Sequence, residues 1–285
     1  MIDAGTTVGA VTLNVANLEK MVAFYRDVVG LQLCAQDAHN ATVGTASREL
    51  VHLRHLPKGR RQPYTCGLYH LALRVPSHAM LANWFHHYTQ CDSPNWQGAS
   101  DHGVSEALYL CDPEGNGIEI YRDCTHTRWQ VAADGTITVY AQMLDLSALL
   151  LEGDDVPWRG MADETDIGHV HLKVADIAVA KRFYVDILGF QPKTELLHSA
   201  LFVAAGAYHH HIGLNTWRTR GAPPAPADGF GLAHFELVFP HEMSRSLILD
   251  RLRNAGRTLE SDADCVLTHD PFGIAIALRA PPKRR

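Results

Sequence analysis

The sequence predicts an α+β fold made of four βαβββ units, and three observations predict it. The first is a gapless internal repeat. Residues 8–33 read VGAVTLNVANLEKMVAFYRDVVGLQL and residues 167–192 read IGHVHLKVADIAVAKRFYVDILGFQP, 159 positions further on. The second is that GLYHLALRVPS from Gly67 and GLAHFELVFPH from Gly231 open with the same kind of strand and run on into a helix. The third is that both of these segments close through Asp-Pro-x-Gly, as DPEGNGIEIY from Asp112 and DPFGIAIALR from Asp270. That tetrapeptide is good turn chemistry between strands. The units therefore follow one another in the order A, B, A, B.

The elements follow in turn. Ala10–Val15 alternates as a half-buried strand does. Asn17 can cap the next helix, and Asp176 does the same in the repeat. Within Leu18–Val29 the apolar residues Leu18, Met21, Val22, Tyr25 and Val29 recur at three-to-four spacing, and Gly30 and Gly189 stop the two helices. Strands are expected near Leu31–Ala35, Asn40–Val43 and Glu49–Leu53, with further helices through His78–Tyr88 and Glu242–Ala255. Residues 1–122 hold the first pair of units and 166–285 the second. Residues 123–165 connect them and include an apolar stretch, Met143–Leu151, that can form a helix. The connector and the Pro-rich Arg220–Gly229 loop read as surface segments.

With 285 residues the chain can bury a large core without disulfides. Its formal charge of -6 and scattered basic residues exclude a nucleic-acid binder. The short Lys58–Arg61 and Lys283–Arg285 runs read as solvated. Six Cys lack CxxC spacing and read as reduced thiols of a cytoplasmic protein. No signal peptide and no membrane-length apolar run is seen. Eighteen His, several on expected strands, point to metal or acid–base chemistry.

The strings YHLALRVP, HGVSEALYLCDPEGNGIEIYRD, GHVHLKVADI and AYHHHIGLNTW, set in four such units, resemble the vicinal oxygen chelate superfamily. Within it they are similar to type I extradiol dioxygenases of the two-domain, catechol 2,3-dioxygenase kind. The resemblance covers essentially the whole chain. It implies two glyoxalase/extradiol-type domains with curved mixed sheets, and a metal held from the first and last strands of paired units. First-strand positions are Ala10, His70, His169 and His234; last-strand positions are Glu119 and Ala277, with apolar residues at or near Leu53 and Leu214. An iron site for oxygen chemistry needs two imidazoles and one carboxylate with the other face open. Units two and three together supply that set, as His70, Glu119 and His169. Units one and four supply one ligand, and consecutive pairing leaves both sets incomplete. His171 shares the strand face of His169, so periodicity leaves the two open; the resemblance selects the residue after Gly168. His234 is expected not to ligate.

Ring cleavage moves protons, so His and Tyr are expected nearby. Alternation places His209 and His211 on one face and His210 on the other, and the resemblance points to His210 as the acid–base catalyst. It likewise points to Tyr109, ten residues before Glu119, and to His102 in DHGVSEAL. The implied activity is O2 insertion into a small aromatic diol at Fe(II), giving a semialdehyde. The same ligands accept Mn(II). No membrane or nucleic-acid partner is implied, and a homo-oligomer is left open. The rivals are a glyoxalase-like metal lyase or isomerase, which adds a second carboxylate ligand, and a non-catalytic aromatic- or drug-binding protein.

Overall fold

Each of the four units is a strand, a helix and three strands. The computed structural model describes residues 1–92, 95–154, 157–262 and 265–280. Unit one comprises β1 (Thr7–Val15), α1 (Leu18–Phe24), β2 (Gln32–Gln36), β3 (Asn40–Gly44) and β4 (Glu49–His55). Unit two comprises β5 (Gly67–Arg74), α2 (His78–Gln90), β6 (Trp96–Asp101), β7 (Ser105–Cys111) and β8 (Gly117–Asp123). The connector carries α3 (Leu146–Leu151), capped by Asp145. Unit three comprises β9 (Asp166–Lys173), α4 (Ile177–Lys181), β10 (Gln191–Leu196), β11 (Ala200–Ala204) and β12 (Ile212–Asn215). Unit four comprises β13 (Gly231–Val238), α5 (Glu242–Asn254), β14 (Glu260–Asp262), β15 (Cys265–His269) and β16 (Ala275–Arg279). The Lys283–Arg285 run lies outside the described residues.

The caps act as read. Asn17 Oδ1 accepts from the Lys20 N–H and Asp176 Oδ1 from the Val179 N–H, both at 2.9 Å. The helices of units one and three, α1 and α4, are shorter than their periodicity suggested. Each loosens into a wider turn, Tyr25–Val29 and Arg182–Ile187, where hydrogen bonds skip one residue further. Gly30 and Gly189 then leave the helix with φ of 90° and 85°, the left-handed region that glycine enters freely.

Strand pairing crosses the halves of the sequence. One eight-stranded sheet runs β14-β15-β16-β13-β1-β4-β3-β2, joining units four and one. The other runs β10-β11-β12-β9-β5-β8-β7-β6, joining units three and two. In both, a central antiparallel pair (β1 with β13, β5 with β9) is flanked by parallel pairs, so the sheets are mixed.

Helix contacts join the consecutive units instead. Trp84 on α2 donates to the Val29 carbonyl at 3.0 Å. The Tyr25 hydroxyl reaches Asp112 of unit two at 3.4 Å, and its repeat partner Tyr184 reaches Asp270 of unit four at 3.0 Å. Trp84, Tyr25, Phe183 and Tyr184 are fully buried there. Sheet hydrogen bonds and apolar helix packing thus tie every unit to two others.

Candidate metal centre

The centre is built over one small residue. Ala72 on β5 pairs with His169 on antiparallel β9 and with Glu119 on parallel β8. His70, two residues back on β5, shares the face of Ala72. Ala72 has only a methyl and is fully buried, so three longer side chains can close over it. His70 Nε2 lies 2.9 Å from Glu119 Oε2, His169 Nε2 lies 3.3 Å from the same oxygen, and the two Nε2 atoms are 3.4 Å apart. All three residues are buried.

This spacing fits a divalent ion. Such ions hold nitrogen and oxygen at about 2.1 Å, so ligands at right angles stand about 3 Å apart on one face of an octahedron. The donor chemistry agrees. Burial works to raise the Glu119 carboxyl, but His169 and His70 outweigh it and hold it well below the usual carboxylate range. Burial pushes His169 down to about 4, against the pull of Glu119. Glu119 is therefore an ionised carboxylate and His169 a neutral imidazole, the protonation that metal binding requires of such ligands. Packed without a cation, two lone-pair nitrogens would crowd one anionic oxygen.

Register separates His169 from His171, which periodicity could not. His171 stands opposite His70, and it is His169 whose nitrogen converges with those of His70 and Glu119. Gly213 lies beside His171 on parallel β12, as Glu119 lies beside Ala72. A Cβ on Gly213 would meet the His171 ring at 2.9 Å, so no fourth ligand can project there. The sequence reading placed this position near Leu214; it is one residue earlier. In unit one the matching position is His52, beside Thr12, not Leu53.

The same spot in the other sheet has no such triad. Ala10 and Ala277 offer nothing, and His234 Nε2 lies 3.1 Å from the Thr12 hydroxyl. Glu236 fills the space, accepting from the Ala10 N–H at 3.2 Å and from Arg279 at 2.5 Å.

The triad opens into a cleft of about 890 Å3. Its wall carries His210, whose ring is tilted against His169 with centroids 4.2 Å apart and meets Phe202 edge-on at 5.0 Å. Tyr109 sits opposite Glu119 across β7 and β8. Its hydroxyl is 2.8 Å from His102 Nε2, and His102 Nδ1 is 2.6 Å from the Tyr140 carbonyl. A carbonyl only accepts, so His102 Nδ1 carries hydrogen and donates to it. Burial, then the Glu119 charge, pushes the Tyr109 phenol well above its ordinary value. His70, Tyr109, His102, Glu119, His169 and His210 thus all reach one cleft.

Two expectations need correction. His209–His211 do not alternate on a strand. They lie in the turn before β12, where period two does not apply, and His209 Nδ1 touches His210 Nδ1 at 2.7 Å. The two connectors are not merely superficial: Val139 and Ala141 of the first and Ala225–Ala227 of the second line the cleft. Arg61 of the basic run is exposed, as read, and also borders the cleft. Sequence reasoning also missed Asp123, 2.9 Å from His209 Nε2, and Lys173, which shares the face of His169 and His171 on β9. The IEIYRD string held Asp123 in plain view, but nothing local linked it to a histidine 86 residues away.

Comparison with known proteins agrees with this architecture. The family model described as the Glyoxalase/Bleomycin resistance protein/Dioxygenase superfamily matches residues 7–120 and 166–278. The chain is 37% identical over 282 residues to a catechol-2,3-dioxygenase of Bacillus subtilis (strain 168), covering 96% of this chain and 97% of that protein. A crystal structure from Bacillus subtilis subsp. subtilis str. 168 superposes with a TM-score of 0.65 at 14% identity, covering 97% of this chain and 85% of the other. Glyoxalase I from Zea mays gives 0.59 at 13% identity, covering 97% and 92%. At those identities the structures speak for the fold alone. The family match over both halves of the chain and the full-length relative show that the chain belongs to the glyoxalase/bleomycin resistance protein/dioxygenase superfamily.

Proposed function

We propose that this protein is an extradiol dioxygenase that opens the ring of a catechol-type diol with O2, using Fe(II) held by His70, Glu119 and His169. The observation that carries the reading is the open triad: two imidazoles and one carboxylate converge, and Gly213 leaves the fourth position without a side chain. Bound there, the ion would supply a template and electron path between diol and O2. One carboxylate against a 2+ charge leaves room for an anionic diolate.

The chain's own groups do the rest. His210 takes a proton from the bound diol and returns it to oxygen as the ring opens, and both atoms of O2 stay in the product. Tyr109 and His102 face the centre from the opposite wall and orient the diol by hydrogen bonding. Burial of the centre keeps bulk water from the reacting atoms. The product is a ring-opened semialdehyde. The thiols of Cys34, Cys66, Cys91, Cys111 and Cys124 support a reducing, cytoplasmic setting, and no helix among the described residues is long and apolar enough to cross a membrane.

The cleft favours a ring with an anionic substituent. Lys173 is half-buried, and burial followed by Arg61 and Arg218 lowers its pKa. Among the described residues no carboxylate pairs with it. Its Cα lies about 13 Å along the strand from that of His169, by strand rise, within reach of a substituent on a bound ring.

A glyoxalase-like isomerase would need a further carboxylate ligand, which Gly213 denies. A non-catalytic binding protein would have no use for a complete triad. The test is to load the protein anaerobically with Fe(II), add catechol and then admit O2. A yellow ring-opened product with matching O2 uptake is expected; binding without O2 uptake would defeat the reading.

A further inference from the structure

Behind His210 runs a chain of buried hydrogen bonds. His210 Nδ1 is 2.7 Å from His209 Nδ1, and His209 Nε2 is 2.9 Å from Asp123 Oδ1. The same oxygen accepts from the Tyr208 hydroxyl at 3.0 Å, and Asp123 Oδ2 accepts from Arg74 Nη1 at 3.0 Å. The His209 side chain has no solvent exposure, while Asp123 is 26% exposed on a separate depression shared with Arg74 and Glu164. The mechanism above uses neither His209 nor Asp123.

Counting hydrogens gives this chain a direction. Burial works to raise the Asp123 carboxyl, but its bonds to His209 and Arg74 hold it below the ordinary value, so it is an ionised acceptor. His209 Nε2 must therefore carry hydrogen. When His209 holds a single N–H, that hydrogen is the one on Nε2, and Nδ1 is a lone pair. At 2.7 Å from it, His210 Nδ1 must be the donor. That leaves the other nitrogen of His210, Nε2, bare on the side of the ring away from His209, and His210 lines the cleft.

We infer that Asp123 and His209 are positioning residues that hold His210 in the Nδ1–H tautomer, so that its bare Nε2 meets the substrate first as a proton acceptor. The inference rests on the ring-cleavage reading only for its kinetic consequence. The proton of an aromatic hydroxyl passes to Nε2, and the Nδ1 hydrogen stays directed at His209. An orienting carboxylate of this kind acts by fixing tautomer and ring, without itself taking the proton.

Asp123→Asn tests the polarity. Arg74 only donates, so it draws the new amide oxygen toward itself and turns the NH2 toward His209 and Tyr208. His209 then becomes Nδ1–H and donates to His210, which is driven to Nε2–H. In 15N NMR of the Zn(II)-loaded protein, wild-type His210 is expected as the Nδ1–H tautomer and the variant as Nε2–H. Wild-type His210 in the Nε2–H form, or no change in the variant, would overturn the inference whether or not the protein cleaves catechols. With Fe(II) and catechol, the variant should lose about 100-fold or more in kcat, with KM and metal content within about twofold of wild type. Tyr208→Phe removes a second bond to Asp123 without reversing the chain, and should keep both tautomer and kcat; a Tyr208→Phe loss as large as that of Asp123→Asn would count against the inference.

Discussion

His70 and His169 come from opposite halves of the chain, 99 residues apart, yet their Nε2 atoms stand 3.4 Å from each other. The antiparallel pairing of β5 with β9 makes the meeting possible, and Ala72 makes room for it. Glu119, arriving on β8, supplies the only negative charge among the three.

Removing that charge should release the metal. Glu119→Gln keeps the shape but leaves two neutral imidazoles and an amide, so Fe(II) affinity should fall by at least about tenfold, and His70→Ala or His169→Ala should abolish retention. Metal content after gel filtration measures this. A Glu119→Ala protein that keeps wild-type iron would remove the triad from the account.

His210 should behave differently from the ligands. His210→Ala is expected to retain metal while turnover falls about 100-fold, the usual contribution of a positioned acid–base group. Comparing iron stoichiometry with kcat separates the two kinds of residue, and unchanged turnover would end the acid–base role.

The triad was legible because a fourfold repeat places comparable residues on comparable strands, so the units could be compared position by position. Alternation alone did not separate His169 from His171, since both share a face and strand register distinguishes them; the resemblance was needed to select His169. The same limit left the blank ligand position only near Leu214, where register fixes it at Gly213. Of the caps, Asn17 and Asp176 were readable because they act within three residues. The Asp123–His209 pair acts across 86 residues, and the Arg220–Gly229 loop reaches the cleft only because unit four folds back beside unit one. Such contacts are set by topology, which local pattern does not encode.

Lys173 should select for charge. At low salt, a catechol bearing a carboxylate is expected to show a KM at least about tenfold below that of catechol, the scale of one charge-assisted hydrogen bond. Lys173→Met should erase most of that advantage while leaving the KM of catechol within about twofold. Equal KM values for the two substrates in the parent protein would dismiss the cationic wall as a selectivity element.

The paired turns should make stability depend on pH in an unusual direction. Burial pushes the Asp112 carboxyl up to about 6, against its bonds from Asn116 and Glu114, and Asp270 likewise to about 6. An aspartate in the unfolded chain ionises near its ordinary value of 3.8. Below about pH 4 both states hold the proton and the group contributes nothing to pH dependence. As pH rises from about 4 to 6 the unfolded chain loses its proton first, so the folded state is progressively disfavoured, by up to about 3 kcal/mol for one such group. Above about 6 the loss is complete. Asp112→Asn cannot titrate, so its stability relative to the parent should improve between pH 4 and pH 7. Urea midpoints of the two metal-free proteins across that range measure the difference, and other titrating groups cancel in it. A relative stability that stays flat, or moves toward the parent as pH rises, would show that the Asp112 carboxyl is ionised in the fold at no cost.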